Sequence, residues 1–499
     1  MEQKSISRNY FYNLFYQVLT IVLPLITTPY LSRVLGAEPI GIYSYTLSIA
    51  TYFVLFGSLG VALYGQREIA YLQDNKTKRS ITFWEILIMK TITMTVSIIT
   101  FGLTFARSGQ YAVYYRILMI ELFSQMIDIS WFFQGMEEFK KTVTRNSIVK
   151  LLFVICIFLF VKSPADIYKY FFIITLSNLL GNLSLWLYLP KFVDKIDFKT
   201  LHIFKHLKQT LILFVPQIAT QVYTVLDRTM IGSFCANKEE VGFYEQAQKV
   251  VKLLLTVVTS LGTVMVPRMA NIFAKGDMEQ LKKYLLKSFS FTFMLAFPIM
   301  TGICLVSKEF VPIFFGAGYD KVIILIQAIS PIILFIGISN ILGTQYLLPT
   351  KRQKEFTISV SCGAVINFIL NFILINKINS IGASIATVIA ELSVALIQLY
   401  FSRNLINFSD ILKSMKNYVI STLSMALVII LATIIFKLTG LASVIVKIFI
   451  GVIVYSLVLI ILKDELVTYI KERIFNIYNS FRRKKIWKKN FLKISKYYF

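Results

Sequence analysis

The feature that most limits what this chain can become is the recurrence of long apolar stretches from one end to the other. A helix needs ~20 mainly apolar residues to cross bilayer hydrocarbon. Such stretches centre near residues 21, 53, 94, 122, 155, 179, 221, 255, 297, 335, 366, 391, 427 and 452. In lipid, a segment must satisfy its own backbone polar groups. The expected fold is therefore an all-α integral membrane protein with about fourteen transmembrane helices. Those spans leave roughly 220 residues for connections and tails, too little for a soluble domain. Composition agrees: 56% of the 499 residues are hydrophobic and 16% are charged, against ~25% charged in an ordinary soluble domain. Soluble, fibrous, disordered and disulfide-stapled classes are excluded. The shortest stretch is the fifth, between Lys150 and Lys162.

The ends and the cysteines add little. The start, MEQKSISRNYFYNLF, has no small-residue cleavage site after its apolar run, so the first helix is expected to remain as an anchor. Cys156, Cys235, Cys304 and Cys362 are scattered and read as small core residues. Lys463-Asp464-Glu465-Leu466 matches an endoplasmic-reticulum retention signal in letters only, because the copy is internal.

The net charge of +26 is largely an orientation signal. With the N-terminus in the cytoplasm and spans alternating, cytoplasmic segments hold 36 of the 52 Lys and Arg residues. Nine fall outside, and both termini are expected inside. Seven fall within spans: Lys90, Arg116, Lys150, Arg228, Lys249, Lys252 and Lys447. A cation in hydrocarbon costs at least ~2.5 kcal/mol. Lys150 and Lys447, near predicted span ends, are expected to snorkel; the others are expected to snorkel or face a wet cavity.

A weak internal repeat is visible. Ile40-Gly41-Ile42-Tyr43 has a counterpart in Val241-Gly242-Phe243-Tyr244, Leu59-Gly60 in Leu261-Gly262, and Arg67 in Arg268. Spans 1–2 thus resemble spans 7–8, which implies two pseudo-symmetric six-helix bundles sharing one orientation. The expected divisions are 1–208, 209–403, two additional helices over 404–462, and a basic cytoplasmic tail over 463–499. Duplication of this kind marks transporters that hold substrate between their halves, near the midplane.

Polar stripes run along several spans at helical spacing. Span 1 carries Asn13, Gln17, Thr20, Pro24 and Thr27; span 4 carries Glu121, Gln125 and Asp128. Span 7 carries Gln217, Gln221, Thr224 and Arg228, and span 8 carries Glu245, Lys249, Lys252, Thr256 and Thr259. Helix–helix hydrogen bonding explains many such residues. Two lysines one turn apart are different, because Glu245 alone cannot neutralise both. They read either as an anion site or as a structural ion pair.

Several chemistries lack their motifs. There is no GxxxxGK[ST], so the chain is not a P-loop ATPase. There is no DxD in a loop for a nucleotide-sugar transferase, and His202 and His206 lack the glutamate of HExxH. No cofactor or metal site is expected. The segment from Phe481 to Phe499, basic and aromatic, reads as binding anionic cytoplasmic lipid, in preference to nucleic acid.

PLITTPYLSRVLGAEPIGIYSYTLSIATYFVLFGSLGVALYG (24–65) resembles the opening of Wzx-type oligosaccharide flippases of the polysaccharide transporter family. DISWFFQGMEEF (128–139), Val266-Pro267-Arg268-Met269 and Ile381-Gly382-Ala383-Ser384-Ile385-Ala386 resemble further blocks of that family. The likeness covers most of the first ~400 residues and implies a fold shared with lipid II flippases and MATE-type exporters: two bundles facing a central cavity. It implies a multi-pass monomer of the bacterial plasma membrane. Such a protein moves undecaprenyl-pyrophosphate-linked repeat units to the outer leaflet by alternating access, for a polymerase to build capsule or another surface polysaccharide. In lipid II flippases a cation of the eighth helix serves the cavity, and Lys249 stands at about that position. Those proteins also carry arginines in the first helix, where this chain has Asn13 and Gln17.

On this reading Lys249 and Lys252, with Arg228 and Arg116, are the candidate pyrophosphate ligands, and Gln17, Gln217, Gln221 and Tyr244 the candidate sugar ligands. Glu121, Asp128, Glu245 and Glu391 are candidates for gating or ion coupling. The competing classes are a cation-coupled multidrug exporter, which would want a net acidic site, and an integral-membrane polymerase or ligase, which would want longer outer loops.

Overall fold

Each expected span centre falls inside a helix of the computed structural model, which describes residues 6–468 other than 195, 198, 200 and 438, together with residue 471. The helices are α1 (Ile6–Leu35), α2 (Ala37–Ser58), α3 (Val61–Tyr71), α4 (Lys76–Phe101), α5 (Ala112–Met126), α6 (Ser130–Gly135), α7 (Phe139–Phe160) and α8 (Ile167–Trp186). There follow α9 (Leu207–Phe234), α10 (Glu239–Ala274), α11 (Met278–Phe315), α12 (Asp320–Ile329), α13 (Ile332–Ser339), α14 (Gln353–Ser402), α15 (Phe408–Phe436) and α16 (Gly440–Ile461). Among the described residues, nine helices are long and apolar enough to cross a membrane. α14 counts once there, although its backbone leaves helical geometry at Ile378 and Asn379, where φ is +52°. Large apolar side chains stay exposed along these helices, such as Leu103, Leu423 and Ile435. In water that surface would be untenable; in a bilayer it is the lipid face.

Three sequence expectations change. The fifth span does not begin at Lys150: α7 starts at Phe139, so Lys150 stands midway along it. The helix outruns the apolar stretch because helices continue into polar interfacial sequence until a breaker appears. Leu59-Gly60 breaks α2 from α3, with both residues in the left-handed region (φ +47° and +75°). The repeat counterpart Leu261-Gly262 runs unbroken through α10. Lys447 does not snorkel. It is buried against α11, its Nζ 2.7 Å from Glu309 Oε1 and 3.2 Å from the Leu305 carbonyl.

Contacts divide the chain into two compact units. The first takes Met1–Leu253, Val311–Ile329 and Thr357–Val394; the second takes Leu254–Phe310, Ser330–Phe356 and Ala395–Phe499. These divisions pass through α10, α11 and α14, not through residues 208 and 403. In the first unit, part of the block 128–139 forms a buried aromatic wedge. Trp131, Phe132 and Phe133 on α6 are sealed against Phe83 of α4. Gly65 of α3 admits Trp131, since a Cβ there would lie 2.4 Å from the indole. A second anchor ties the α8–α9 connection down. Glu85 of α4 accepts from the His202 backbone N–H (2.8 Å), the His206 ring (2.9 Å) and Lys205 (2.7 Å). The other nitrogen of His206 meets the Tyr64 hydroxyl at 2.7 Å. Burial pushes the His206 imidazole below its usual range, with Glu85 opposing the shift.

The second unit is built on Phe289, Phe293, Met425, Ile429 and Tyr455. Here Asp464, from the tetrapeptide set aside above, is buried and accepts from Tyr418 and Asn417. The expected basic tail lies outside the described residues beyond 468, apart from residue 471.

Candidate functional site

In the first unit, α9 and the part of α10 up to Leu253 bring Arg228, Glu245 and Lys249 together. Arg228 Nε lies 2.9 Å from Glu245 Oε2, and Lys249 Nζ lies 3.6 Å from Glu245 Oε1. Ser44 of α2 donates to the same carboxylate at 3.1 Å. The spacing Glu245–Lys249 is one helical turn, so the pair needs no special backbone. A cavity of about 30 Å³ adjoins the cluster, lined among others by Thr28, Tyr43, Ser44 and Tyr170. That is room for about one or two waters. The Lys249 side chain is 42% exposed, whereas that of Glu245 is 12% exposed.

Lys252 lies one turn further along α10, within electrostatic range of Arg228, Glu245, Asp227 and Glu391. This corrects the charge balance drawn from sequence, which set one carboxylate against the lysines. Three carboxylates surround three cations, because α9 and α14 contribute acids that a helix-by-helix reading does not place near α10.

Asp227 is the residue that the sequence reading missed. It is 4% exposed. Its Oδ2 accepts from the Tyr244 hydroxyl and from Thr387 (2.9 Å), and its Oδ1 from Asn371 (2.7 Å). Gln248 in turn donates to Tyr244 (2.7 Å), and Asn371 also donates to Asn367 (3.0 Å). The Tyr244 hydroxyl is thus fully used within the protein, which differs from its expected contact with sugar. The signal was available: an acid inside an apolar helix is a functional candidate by default.

The remaining candidates are dispersed. Arg116 is exposed and donates to the carbonyls of Ala106 (2.9 Å) and Arg107 (3.3 Å), finishing the helix that precedes it. Asp128 forms the turn into α6, accepting from the Ser130 N–H (3.0 Å) and hydroxyl (2.8 Å). Its own carbonyl accepts from buried Lys90 at 2.9 Å. Glu121 accepts from Gln125 (2.9 Å) and Asn178 (2.8 Å). Glu391 is buried. On α9, Gln217 is half-buried and Gln221 exposed. The side chains of Asn13, Gln17 and Thr20 lie outside the described residues.

Residues 6–273, more than half of the chain, match the polysaccharide biosynthesis protein family. The chain belongs to that family. Residues 213–373 also match the MatE family. A "Putative O-antigen transporter" of Escherichia coli (strain K12) is 26% identical over 407 residues, 80% of this chain and 97% of that protein. A "Probable low-salt glycan biosynthesis flippase" of Haloferax volcanii is 22% identical, over 86% of this chain and 90% of that protein. Among solved structures, the lipid II flippase MurJ in an inward closed conformation aligns with a TM-score of 0.68 at 20% identity. It covers 91% of this chain and all of that one. An inward-facing multidrug MATE transporter aligns at 0.57 over 79% of this chain and 96% of that one, with 13% identity. The fold is thus the all-α, multi-spanning fold that these two solved structures share.

Proposed function

We propose that this protein flips undecaprenyl-pyrophosphate-linked oligosaccharide repeat units from the inner to the outer leaflet, by alternating access, for surface polysaccharide biosynthesis. The observation that carries the reading is a cluster of three cations, matched by displaceable carboxylates, held within membrane helices of a polysaccharide biosynthesis protein, with the Lys249 side chain partly open. Carrying a pyrophosphate across hydrocarbon is prohibitive without such a site. Lys249, Lys252 and Arg228 would hold the pyrophosphate, and Gln217 and Gln221 the sugar, while the lipid tail stays in the bilayer. Arg116 is left in its capping role.

The cavity as it stands is too small for a headgroup, so the site must open. Glu245 then acts as an internal counter-ion: it neutralises Arg228 and Lys249 while the site is shut and is displaced by the substrate's phosphates. The buried Asp227 is tied to α10 and α14 through Tyr244, Asn371 and Thr387, so its bonds link three helices, and we assign the coupling step to it ahead of Glu121, Asp128 and Glu391.

The architecture we infer has fourteen spans in two six-helix bundles plus two further helices. Both termini are cytoplasmic, and the protein acts as a monomer that hands its product to a polymerase. It performs transport and no bond-making step. A multidrug exporter, which would want a net acidic site, is disfavoured because three basic side chains match the carboxylates there.

The test is deletion followed by analysis of lipid-linked intermediates. A complete repeat unit accumulating on the inner leaflet is expected; an incomplete one would point to an enzyme instead.

A further inference from the structure

The two copies of the internal repeat do more than resemble each other: they touch. In the first unit, a Cβ built on Gly41 would lie 1.8 Å from the carbonyl oxygen of Lys238 and 2.9 Å from the Gly242 nitrogen. A Cβ built on Gly242 would lie 2.1 Å from the carbonyl oxygen of Ala37 and 3.2 Å from the Gly41 nitrogen. The contact is reciprocal: each glycine admits the backbone at the position four residues before the other. Ser44 and Glu245, three residues further along each copy, are hydrogen-bonded across the same seam. So α2 and α10 meet backbone to backbone, about one helical turn from the Arg228–Glu245–Lys249 cluster.

The seam continues along α9. Gly232 receives the Tyr45 ring, with a would-be Cβ 2.0 Å from it. Thr229 donates to Ser48 at 2.8 Å. Lys238 donates to the carbonyls of Gly232 and Cys235, at 2.6 and 2.9 Å, and stands over the Tyr45 ring. Small residues that let helices approach closely are a common packing device in membranes. Here they are concentrated at one end of α2 and α10, in equivalent places of a duplicated sequence.

We propose that the reciprocal Gly41–Gly242 contact is a closed gate of the transport path, and that the missing side chains set how firmly it shuts. This rests on the export reading above. Opening would part α2 from α9 and α10, break the Ser44–Glu245 bond, and expose the cations beneath. Shutting would return Glu245 to them. A methyl group at either glycine meets backbone atoms that cannot swing aside, so it shifts the gate towards its open state.

Cys235 reports on this without any substrate. It caps α9 beside the seam and is 6% exposed. In full-length protein carrying C156A, C304A and C362A in lipid nanodiscs, maleimide labelling of Cys235 is measured. Gly41→Ala and Gly242→Ala should each raise the labelling rate about tenfold, as a shifted two-state equilibrium requires. Gly302→Ala, with nothing within 4 Å of the added carbon, should leave it unchanged. Wild-type labelling in folded Gly41→Ala and Gly242→Ala proteins overturns the proposal.

If those variants fail to fold, a second arm leaves the glycines intact. Ser48→Cys with Thr229→Cys, in a background lacking the native cysteines, places two thiols where two hydroxyls stand 2.8 Å apart. Oxidation should halt export in cells and reductant should restore it; cross-linked protein that exports as fast as reduced protein overturns the gate. Loss of the export reading alone would leave the Cys235 response intact, so the two failures are distinguishable.

Discussion

Lys249–Glu245 and Lys447–Glu309 are two of the lysine–glutamate pairs within membrane helices among the described residues. One joins residues a single turn apart on α10; the other joins residues 138 positions apart in the chain. Lys249 meets Glu245 at 3.6 Å in the first unit; Lys447 meets Glu309 at 2.7 Å in the second. The Lys249 side chain is 42% exposed, while that of Lys447 is 5% exposed. Glu245 is shared among Arg228, Lys249 and Ser44, whereas Lys447 has both a carboxylate and a backbone carbonyl to itself. The first pair is loose, crowded and beside a cavity; the second is short and sealed between α16 and α11. The same chemistry therefore works as a replaceable counter-ion in one place and as a rivet in the other. Access to water, not residue type, separates them.

The comparison can be broken most decisively at the first pair. Replacing Lys249 and Lys252 together by alanine should cut surface polysaccharide by about two orders of magnitude, since each charge-assisted bond to phosphate contributes ~1.5–3 kcal/mol. Protein abundance should stay at the wild-type level. Wild-type polysaccharide at equal abundance would remove these residues from the transport path.

The second pair should behave oppositely. Lys447→Ala leaves Glu309 buried without its partner, at a cost of about 3–5 kcal/mol. The thermal midpoint and the abundance should fall while export per molecule holds. Lys447→Met with Glu309→Leu should recover most of the stability. A Lys447→Ala protein that is stable but inactive would put the rivet in the transport path instead.

A smaller effect is expected at Asp227. Asp227→Asn keeps its size and removes its charge, and export should slow about tenfold with little change in stability, as for one buried charged hydrogen-bond acceptor. The dependence of export on external pH or sodium should flatten. Unchanged ion dependence would return the coupling role to the other carboxylates.

The smallest effect concerns His206. Its folded pKa is depressed, so the stability it contributes is full above the unfolded value, ~6.5, and is lost as pH falls through the folded value. Tyr64, Glu85, Lys205 and Glu68 are the groups that face it. The protection factor against hydrogen exchange over residues 203–210 should fall a few-fold from about pH 7.5 to pH 5.5, after correction for the intrinsic exchange rate, and His206→Gln should abolish that fall. A wild-type profile in His206→Gln would assign the acid sensitivity to another group.

Much of the fold was legible because lipid imposes a simple rule on each segment separately. Apolar length gave the helix positions at every expected centre, and the spacing of Glu245, Lys249 and Arg228 gave half of the site. What stayed hidden depended on which helices become neighbours. Asp227 needed Tyr244, Asn371 and Thr387 from α10 and α14 before its role was visible. Tyr244 looked available for sugar until those partners consumed its hydroxyl. Lys447 looked ready to snorkel until Glu309 stood opposite. The repeat is a relation between sequences, but the packing of its two glycines on each other is a fact of three dimensions.

The sequence by itself determined the medium, the helices and the set of ionisable residues within them, because hydrophobic length and the cost of burying charge are properties of single segments. Only the tertiary structure decided which of those charges is a rivet, which is a counter-ion beside a cavity, and which backbones touch at Gly41 and Gly242. The physical reason is that an ion's role depends on its neighbours and on its access to water, and both are set by helices that lie far apart in the chain.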